Sequence, residues 1–451
     1  MTNPLLEIRG LPPFSAIRPE QVEPAVRQIL KENRSNVQRL LDENTDYTWD
    51  NLIAPLESMD DRLSRSWSPV SHMNSVVNTE DLRNAYNACL PLLTEYATEL
   101  GQNEDLFRAY RQIAEGSEYD RLNPSQKKVI DNAMRDFRLS GIQLEADKRT
   151  RYKIIMQELS MLASKFSDNV LDATNAWSRH ISDEQLLSGL PETARSLARQ
   201  AAQNKQMDGW LFTLDFPSYH PVLTYADNRE LREEMYTAYA TRASDQGPYA
   251  GQWDNTPIME SILALRHEAA LLLGFNNHAE RSLAKKMAQS TRQVMDFLHD
   301  LAERSRGRAE TELGEVRDYA RVNHAMEDLQ AWDIPYYSEK LRQHNYAISQ
   351  EELKPYFPEP HVVSGLFSVA ERLYGLRIEK ADGVDTWHQD VRFYRIFDAA
   401  GELRGQFYLD LYARPHKRGG AWMDECISRR MAEGKSQIPV AYLTCNFSPP
   451  I

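Results

Sequence analysis

The stretch Phe407-Tyr408-Leu409-Asp410-Leu411-Tyr412 decides the fold, because its side chains alternate, whereas apolar residues elsewhere recur at helical spacing. An earlier run, residues 391–397, alternates in the same way and ends at the turn Asp398-Ala399-Ala400-Gly401. A third run covers residues 440–447. The sequence therefore predicts a small β-sheet near residue 451, set against a mainly α-helical body.

The composition is that of a folded globular protein. Of the 451 residues, 41% are hydrophobic and 26% are charged, which is ordinary for a chain that buries a core. The formal net charge of −13 disfavours a nucleic-acid binder, which needs a clustered basic surface. We expect no nucleic-acid partner.

The sequence also indicates the cellular compartment of the protein. No stretch reaches the roughly 20 apolar residues that span a bilayer, so we expect no membrane partner. Residues 1–4 lack a basic region followed by an apolar one, as a signal peptide would have. Three widely spaced cysteines, Cys89, Cys426 and Cys445, suit a reducing compartment better than a disulfide framework. These features predict a cytoplasmic protein.

Most of the chain shows helical patterns. We divide the chain into an N-terminal helical lobe over residues 1–200 and a second unit over residues 201–451. Asn123 and Gln126 form a capping box that predicts a helix start, and Ser290 with Gln293 predicts another. Residues 211–214 and 222–225 flank a proline-bounded segment, which predicts a short hairpin near 210–225.

A search for metal ligands finds no local motif. His267-Glu268 begins the pattern of a zinc-binding helix, but position 271, where the second histidine belongs, is Leu271. None of the eleven histidines has another three to five residues away. We expect His267 to be a surface or packed helix residue.

The polar residues beside the predicted sheet suggest a peptide site. Alternation places Tyr408, Asp410 and Tyr412 on one strand face, and Gly419-Gly420 follows. Paired glycines allow another backbone to approach closely, and an exposed sheet edge can bind a peptide as an added strand. On spacing alone, a solvated loop with a basic cluster at residues 414–418 is the better interpretation. Cys445 is interpreted as a small packed residue.

Beyond these patterns, the chain resembles the thimet oligopeptidase family of zinc metallopeptidases, and in particular its bacterial members. The matching segments extend over nearly the whole chain and include Leu11-Pro12-Pro13-Phe14, Ser68-Pro69-Val70-Ser71-His72, Ser167-Asp168-Asn169-Val170-Leu171-Asp172, Arg232-Glu233-Glu234-Met235-Tyr236, Thr241-Arg242-Ala243-Ser244-Asp245-Gln246-Gly247, Trp332-Asp333-Ile334-Pro335-Tyr336-Tyr337, Phe407-Tyr408-Leu409-Asp410-Leu411-Tyr412-Ala413-Arg414 and Ala441-Tyr442-Leu443-Thr444-Cys445-Asn446-Phe447.

The resemblance implies a two-lobed helical peptidase body with a deep channel that admits short peptides, including fragments of signal peptides. Residues 201–451 would be the start of the catalytic domain. In the family, a His-Glu-x-x-His helix and a later Glu hold zinc, and the Glu inside the motif is the general base. That motif follows the strand equivalent to residues 441–447, so we expect a chain truncated before it.

The expectation for this chain alone is therefore no catalytic residue, no bound zinc and no activity. The candidates for peptide contact are Tyr408, Gly419, Gly420, Ala421, Cys445, Asn446 and Phe447. Short peptides are the expected partners, together with a possible separately encoded C-terminal fragment. The alternative is a non-catalytic peptide-binding or helical scaffold protein. Under the truncation hypothesis, apolar faces of the strands should be exposed.

Overall fold

The computed structural model describes residues 3–432 and 434–450, and these residues are mainly α-helical, as predicted. Sixteen α-helices occur among them, which we number in chain order: α1 Pro19–Glu43, α2 Ala54–Val76, α3 Glu80–Gly101, α4 Glu104–Glu115, α5 Ser117–Arg121, α6 Pro124–Leu139, α7 Ala146–Ala176, α8 Glu192–Asn204, α9 Phe216–Tyr225, α10 Arg229–Ala240, α11 Thr256–Leu272, α12 His278–Leu283, α13 Thr291–His324, α14 Ile334–Tyr346, α15 Gln350–Leu353 and α16 Glu359–Tyr374.

Side-chain caps define several helix starts, because the first backbone N–H groups of a helix have no partner inside it. The Asn123 side chain accepts from the backbone N–H of Gln126, whose side chain accepts in return from the N–H of Asn123. Ser290 caps α13 through the N–H of Gln293. Both predicted helix starts are confirmed.

Nine β-strands occur in the described part of the chain: β1 Ser178–Ile181, β2 Trp210–Thr213, β3 Arg377–Lys380, β4 Arg392–Phe397, β5 Leu403–Tyr412, β6 Trp422–Ile427, β7 Met431–Ala432, β8 Lys435–Ser436 and β9 Val440–Phe447. Five of them form one sheet in the order β3-β4-β5-β9-β6. Strands β5 and β9 are parallel, with Tyr408 opposite Tyr442, and the other neighbours are antiparallel. The three predicted runs are confirmed as β4, β5 and β9.

The predicted hairpin near residues 210–225 is wrong. Strand β2 pairs instead with β1, with Ile181 opposite Trp210, and the second half of the expected hairpin is helix α9. Pro217 lies in the first turn of α9, where a missing N–H costs nothing. The Ser218 hydroxyl accepts from the backbone N–H of Thr213, so the chain turns directly from strand to helix.

Two groups of side chains cover the sheet. On one face Phe393, Tyr408 and Tyr442 pack with Phe14 from the beginning of the chain and with Met73 of α2. On the other face the buried residues Tyr394, Leu409 and Leu411 pack with Val363 of α16, and Phe367 of the same helix lies against them. The expectation of exposed strand faces is therefore wrong for these strands.

Exposed apolar side chains lie on helices instead. Helix α16 turns Val363 towards the sheet and leaves a stripe in solvent at helical spacing, consisting of Val362, Leu366, Val369 and Leu373. Helix α13 also exposes apolar side chains, including Phe297, Leu301 and Val322. Within the described residues, no helix is long and apolar enough to cross a membrane.

A buried ion cluster joins α10 to α14. Asp333 is fully buried and accepts from Arg232 at 2.8 Å and from Arg229 at 2.8 Å. The Arg232 guanidinium also stacks on the Tyr336 ring, with its carbon 4.2 Å from the ring centroid. Because a buried charge is stable only when paired, this cluster fixes the helices relative to each other.

The proposed division at residue 200 remains a prediction.

The contact between Phe14 and the sheet gives a testable prediction. Phe14 is 2% exposed, and its ring makes edge contacts with Trp387 and Tyr408 at centroid distances of 4.9 and 5.5 Å. We expect Phe14→Ala to lower the free energy of unfolding by about 3–5 kcal/mol, because it leaves a cavity between the N-terminal segment and the sheet.

Urea unfolding followed by circular dichroism measures this change. The matched control is Phe216→Ala, since Phe216 is 56% exposed and its loss should change stability by less than about 0.5 kcal/mol. Equal effects of the two substitutions would contradict the prediction.

Candidate functional site

The candidate site is built around Asp410, whose side chain is 1% exposed at the end of β5. Lys417 donates to Asp410 Oδ1 at 2.8 Å, and Arg414 donates to both carboxylate oxygens at 2.7 Å. Trp387 Nε1 donates to Oδ2 at 2.9 Å. Burial raises the pKa of Asp410, but the neighbouring Arg414 and Lys417 outweigh it and hold that pKa at about 2. Asp410 is therefore a charged anchor for the segment that follows it.

Lys417 fastens the loop of residues 413–421 to the sheet. Its side chain has no exposed surface, and Nζ donates to the backbone oxygens of Asp410 at 3.2 Å and Tyr412 at 2.7 Å besides the carboxylate. Burial lowers the pKa of Lys417, while its pairing with Asp410 opposes that shift. With three acceptors around it, Lys417 fits as the charged partner that a buried carboxylate needs.

The same loop is held from two other directions. Asn446 Nδ2 donates to the oxygens of Arg418 at 3.0 Å and Gly420 at 2.5 Å. On the side of α2, the N–H of Arg418 donates to the oxygen of Ser75 at 2.8 Å. Gly420 has a φ of +97°, which glycine adopts without the cost that a side chain would add. The loop is thus an ordered element, and its residues Gly419, Gly420 and Ala421 are exposed.

Alternation correctly places Tyr408 and Asp410 on one strand face, but it is wrong for Tyr412. The β5–β9 register shifts between Asp410 and Tyr412, and an irregularity of this kind reorients the side chains that follow it. Tyr412 accordingly packs with Leu409 and Leu411 on the opposite face, where its hydroxyl donates to Glu359.

The structure brings some of the predicted peptide-contact residues together and separates others. Gly419, Gly420 and Ala421 lie beside Asn446, and Phe447 is 42% exposed at the end of β9. Tyr408 is completely buried, and Cys445 is partly buried among the side chains under α16. Neither residue belongs to the surface formed by the loop, and Cys445 is packed, as predicted.

The sequence did not indicate strand β6, although it forms the edge of the sheet beside this loop. Its residues mix polar and apolar side chains, so no alternation marks them. The one available signal was the adjoining Gly419-Gly420 pair, which often precedes a change of chain direction. The site therefore includes an edge strand at Trp422–Ile427 that only the tertiary structure reveals.

The sequence patterns also gave no role to His72, a residue of α2 whose side chain faces the sheet. Its ring stacks on Tyr442 at a centroid distance of 3.8 Å, and neither ring nitrogen has a hydrogen-bond partner among the described residues. Burial lowers the pKa of His72 to about 3; Asp410 raises that pKa, and Arg414 and Lys417 lower it. His72 is thus a neutral stacking residue in the folded protein.

The described residues do not fit a zinc site. Among them no group of three or more His, Cys, Asp or Glu side chains is placed to hold a metal ion, and His267 is exposed on α11. The cysteines are free, and burial raises the pKa of Cys89 and that of Cys426 to about 12. These two thiols are therefore protonated and unsuited to bind metal at neutral pH.

We predict that His72 makes the folded protein acid-sensitive. Its pKa in the folded protein lies below the ordinary 6.5, so below pH 6.5 the unfolded chain binds a proton that the folded protein rejects. The contribution of His72 to stability should fall by about 1.4 kcal/mol per pH unit as the pH drops towards 3. Asp410 acts separately, because its stabilising contribution is lost only below its ordinary pKa of 3.8.

Urea unfolding of the wild-type protein and of His72→Phe between pH 7 and pH 5 tests this expectation. The variant should show a shallower loss of stability on acidification. Parallel curves for the two proteins would show that His72 does not carry the effect.

We predict that Lys417→Met loosens the loop. Asp410 would keep Arg414 and Trp387 but lose a buried cation, so the free energy of unfolding should fall by about 3 kcal/mol. Backbone amides at 413–421 should exchange their hydrogens faster in the variant. Lys435→Met is the matched control, because Lys435 is exposed. Unchanged exchange at 413–421 in Lys417→Met would contradict the anchoring role.

Comparison with known proteins gives the family of the chain. The model of Peptidase family M3 matches residues 222–451, and that of the Neurolysin/Thimet oligopeptidase N-terminal domain matches residues 26–149. Oligopeptidase A of Escherichia coli (strain K12) is 55% identical over 452 residues, which cover 100% of this chain and 66% of that protein. Oligopeptidase A of Haemophilus influenzae is 54% identical with the same coverage.

A plant relative, the probable cytosolic oligopeptidase A of Arabidopsis thaliana, is 39% identical over 465 residues, which cover 100% of this chain and 65% of that protein. The chain spans 66% of the length of the bacterial relatives that it matches. The family expected from the sequence is confirmed, and this chain belongs to Peptidase family M3, with oligopeptidase A proteins among its relatives.

Proposed function

We propose that residues 1–451 form the N-terminal lobe and the peptide-binding wall of a zinc metalloendopeptidase that, like oligopeptidase A, hydrolyses short peptides in the cytoplasm. The observation that carries the proposal is the 55% identity to Escherichia coli oligopeptidase A along the whole chain. Residues 1–200 would be the lobe, and residues 201–451 would begin the catalytic domain.

The ordered loop supports a peptide-binding role. Gly419, Gly420 and Ala421 are exposed, and Asn446 fixes the carbonyls on either side of Gly419. A loop whose backbone is already fixed loses little conformational entropy when a peptide binds to it. Phe447 adds an exposed apolar surface close by, and Tyr408 and Cys445 support the sheet from inside.

We propose that residues 1–451 alone do not hydrolyse peptides, because none of the eleven histidines has another three to five residues away. Zinc would activate a water molecule in a peptidase of this kind, but the described residues form no group that fits the metal. We therefore assign no chemical step to this chain and propose that it binds peptide without cleaving it. A separately encoded polypeptide carrying the zinc motif is the partner that would complete the enzyme.

The cytoplasmic location is part of the same proposal. It is supported by three cysteines without a disulfide, two of which are buried as protonated thiols. A reducing compartment keeps such thiols intact.

We predict that the polypeptide 1–451 binds a short internally quenched peptide without zinc-dependent cleavage. Zinc analysis and fluorescence measure this directly, and the expected result is neither stoichiometric zinc nor chelator-sensitive turnover. Turnover abolished by a chelator would contradict the prediction. Adding the part of Escherichia coli oligopeptidase A that lies beyond the matched region tests completion, which should restore cleavage.

Two variants test whether the loop held by Asn446 contributes to peptide affinity. Asn446→Ala removes the hydrogen bonds to Arg418 and Gly420 and should weaken peptide binding roughly fivefold to tenfold, because the loop must then be ordered on binding. Asn323→Ala is the matched control, since the Asn323 side chain donates to the oxygen of Tyr319 within α13. Calorimetry showing equal affinities for both variants would argue against this loop as the site.

A further inference from the structure

The ordered loop caps the end of helix α2. Backbone oxygens in the last turn of a helix have no partner within it, so they need donors from elsewhere. The Ser75 oxygen accepts from the N–H of Arg418 at 2.8 Å, and the Val76 oxygen accepts from Arg414 Nη2 at 3.0 Å. The helix dipole also favours a cation at this end. The position of the loop is therefore tied to the point where α2 ends.

Asn78 follows the helix and contacts the loop from the same side. Its backbone N–H donates to the oxygen of His416 at 3.1 Å, and its side-chain Nδ2 donates to the Asn74 oxygen of α2 at 2.8 Å. Asn78 is 3% exposed, and a hydrogen bond lost in a buried place leaves its partner without water to replace it. Asn78 thus links the end of α2 to the loop.

The backbone of His416 has a conformation that other contacts must hold. Its φ is +64°, in the left-handed region that is unfavourable for a residue with a side chain. Pro415 precedes it, and the N–H of Lys417 donates to the Arg414 oxygen at 3.3 Å, so the chain turns tightly here. A positive φ at the third residue of a tight turn is typical of glycine. The hydrogen bond from Asn78 is one of the contacts that keep His416 in this turn.

Arg83 of α3 holds the side chain of Asn78. Its Nε donates to Asn78 Oδ1 at 3.0 Å, and its two terminal nitrogens donate to the carboxylate of Asp172 on α7 at 2.7 and 2.8 Å. The planar fork of a guanidinium suits this bidentate contact and leaves Nε for a second acceptor. A chain of side chains therefore runs from α7 through α3 to the residue that binds the His416 carbonyl.

We propose that Asn78 is a positioning residue for the ordered loop, and that Arg83 and Asp172 hold it in place from α3 and α7. The inference rests on the proposed function and adds to it residues that prepare the loop for a peptide. Asn78 is buried, so it acts through the loop and not through contact with a peptide. When Asn78 is released, the loop loosens and must be ordered again as a peptide binds, so the affinity falls.

A second ion pair between the same two helices provides a matched control. Lys153 of α7 contacts Glu95 at 2.7 Å and Glu99 at 3.3 Å on α3. Its side chain is 27% exposed, close to the 20% of Arg83. Lys153→Met and Arg83→Met therefore each remove a cation of similar burial that joins α3 to α7. They differ in that Arg83 also contacts Asn78.

Hydrogen exchange on the polypeptide 1–451 tests the positioning role. The amides of Asn78 and Arg418 donate across the contact between α2 and the loop, so they report on it directly. We expect Arg83→Met to speed exchange at both amides roughly tenfold, and Lys153→Met to leave both unchanged. Equal effects of the two substitutions would overturn the inference.

Asn78→Ala is the second variant, since it leaves the pair of Arg83 with Asp172 intact and serves if Arg83→Met does not fold. It should speed exchange at the amide of Arg418 to the same extent. Unchanged exchange there would overturn the inference.

Calorimetry with the short internally quenched peptide tests the link to function. Arg83→Met and Asn78→Ala should bind the peptide roughly threefold to tenfold more weakly than the wild type, and Lys153→Met should bind it equally well. Binding with the same affinity in all four proteins would overturn the inference and leave the proposed function standing. Absence of binding to the wild-type polypeptide would overturn the proposed function and the role of Asn78 in it, while the exchange rates would still decide whether Asn78 holds the loop.

Discussion

The charge of Asp410, buried at the end of β5, constrains everything that follows it in the chain. A carboxylate in this position is stable only with cations and donors around it, because its transfer from water costs several kcal/mol. Arg414 and Lys417 lie four and seven residues later, so the chain must fold back to bring them to Asp410. Because the chain folds back in this way, residues 413–421 form the ordered loop that leads into β6.

The second constraint is the packing of the beginning of the chain on the five-stranded sheet. Phe14, Ser68 and His72 contact Tyr408, Glu425 and Tyr442, respectively, more than 350 residues later in sequence. These contacts bury one face of the sheet under the N-terminal helices. The N-terminal segment and helix α2 thus support the sheet.

The candidate site combines an ordered loop with the edge strand of the five-stranded sheet. Asn446 and Lys417 fix the loop, and the Ser68 hydroxyl donates to the backbone oxygen of Glu425 on the edge strand. The chain belongs to Peptidase family M3, and we propose that this loop contacts a peptide.

The sequence by itself determined the mainly helical class, the starts of α6 and α13, and the strands β4, β5 and β9, because caps and alternation are local properties of the chain. It also determined the family through its matching segments. Only the tertiary structure decided that β9 lies between β5 and β6, that residues 216–225 are helical, and that Tyr412 turns away from Asp410. Strand order, a register shift and the reach of Ser68 to Glu425 all depend on contacts between distant residues, which no local pattern records.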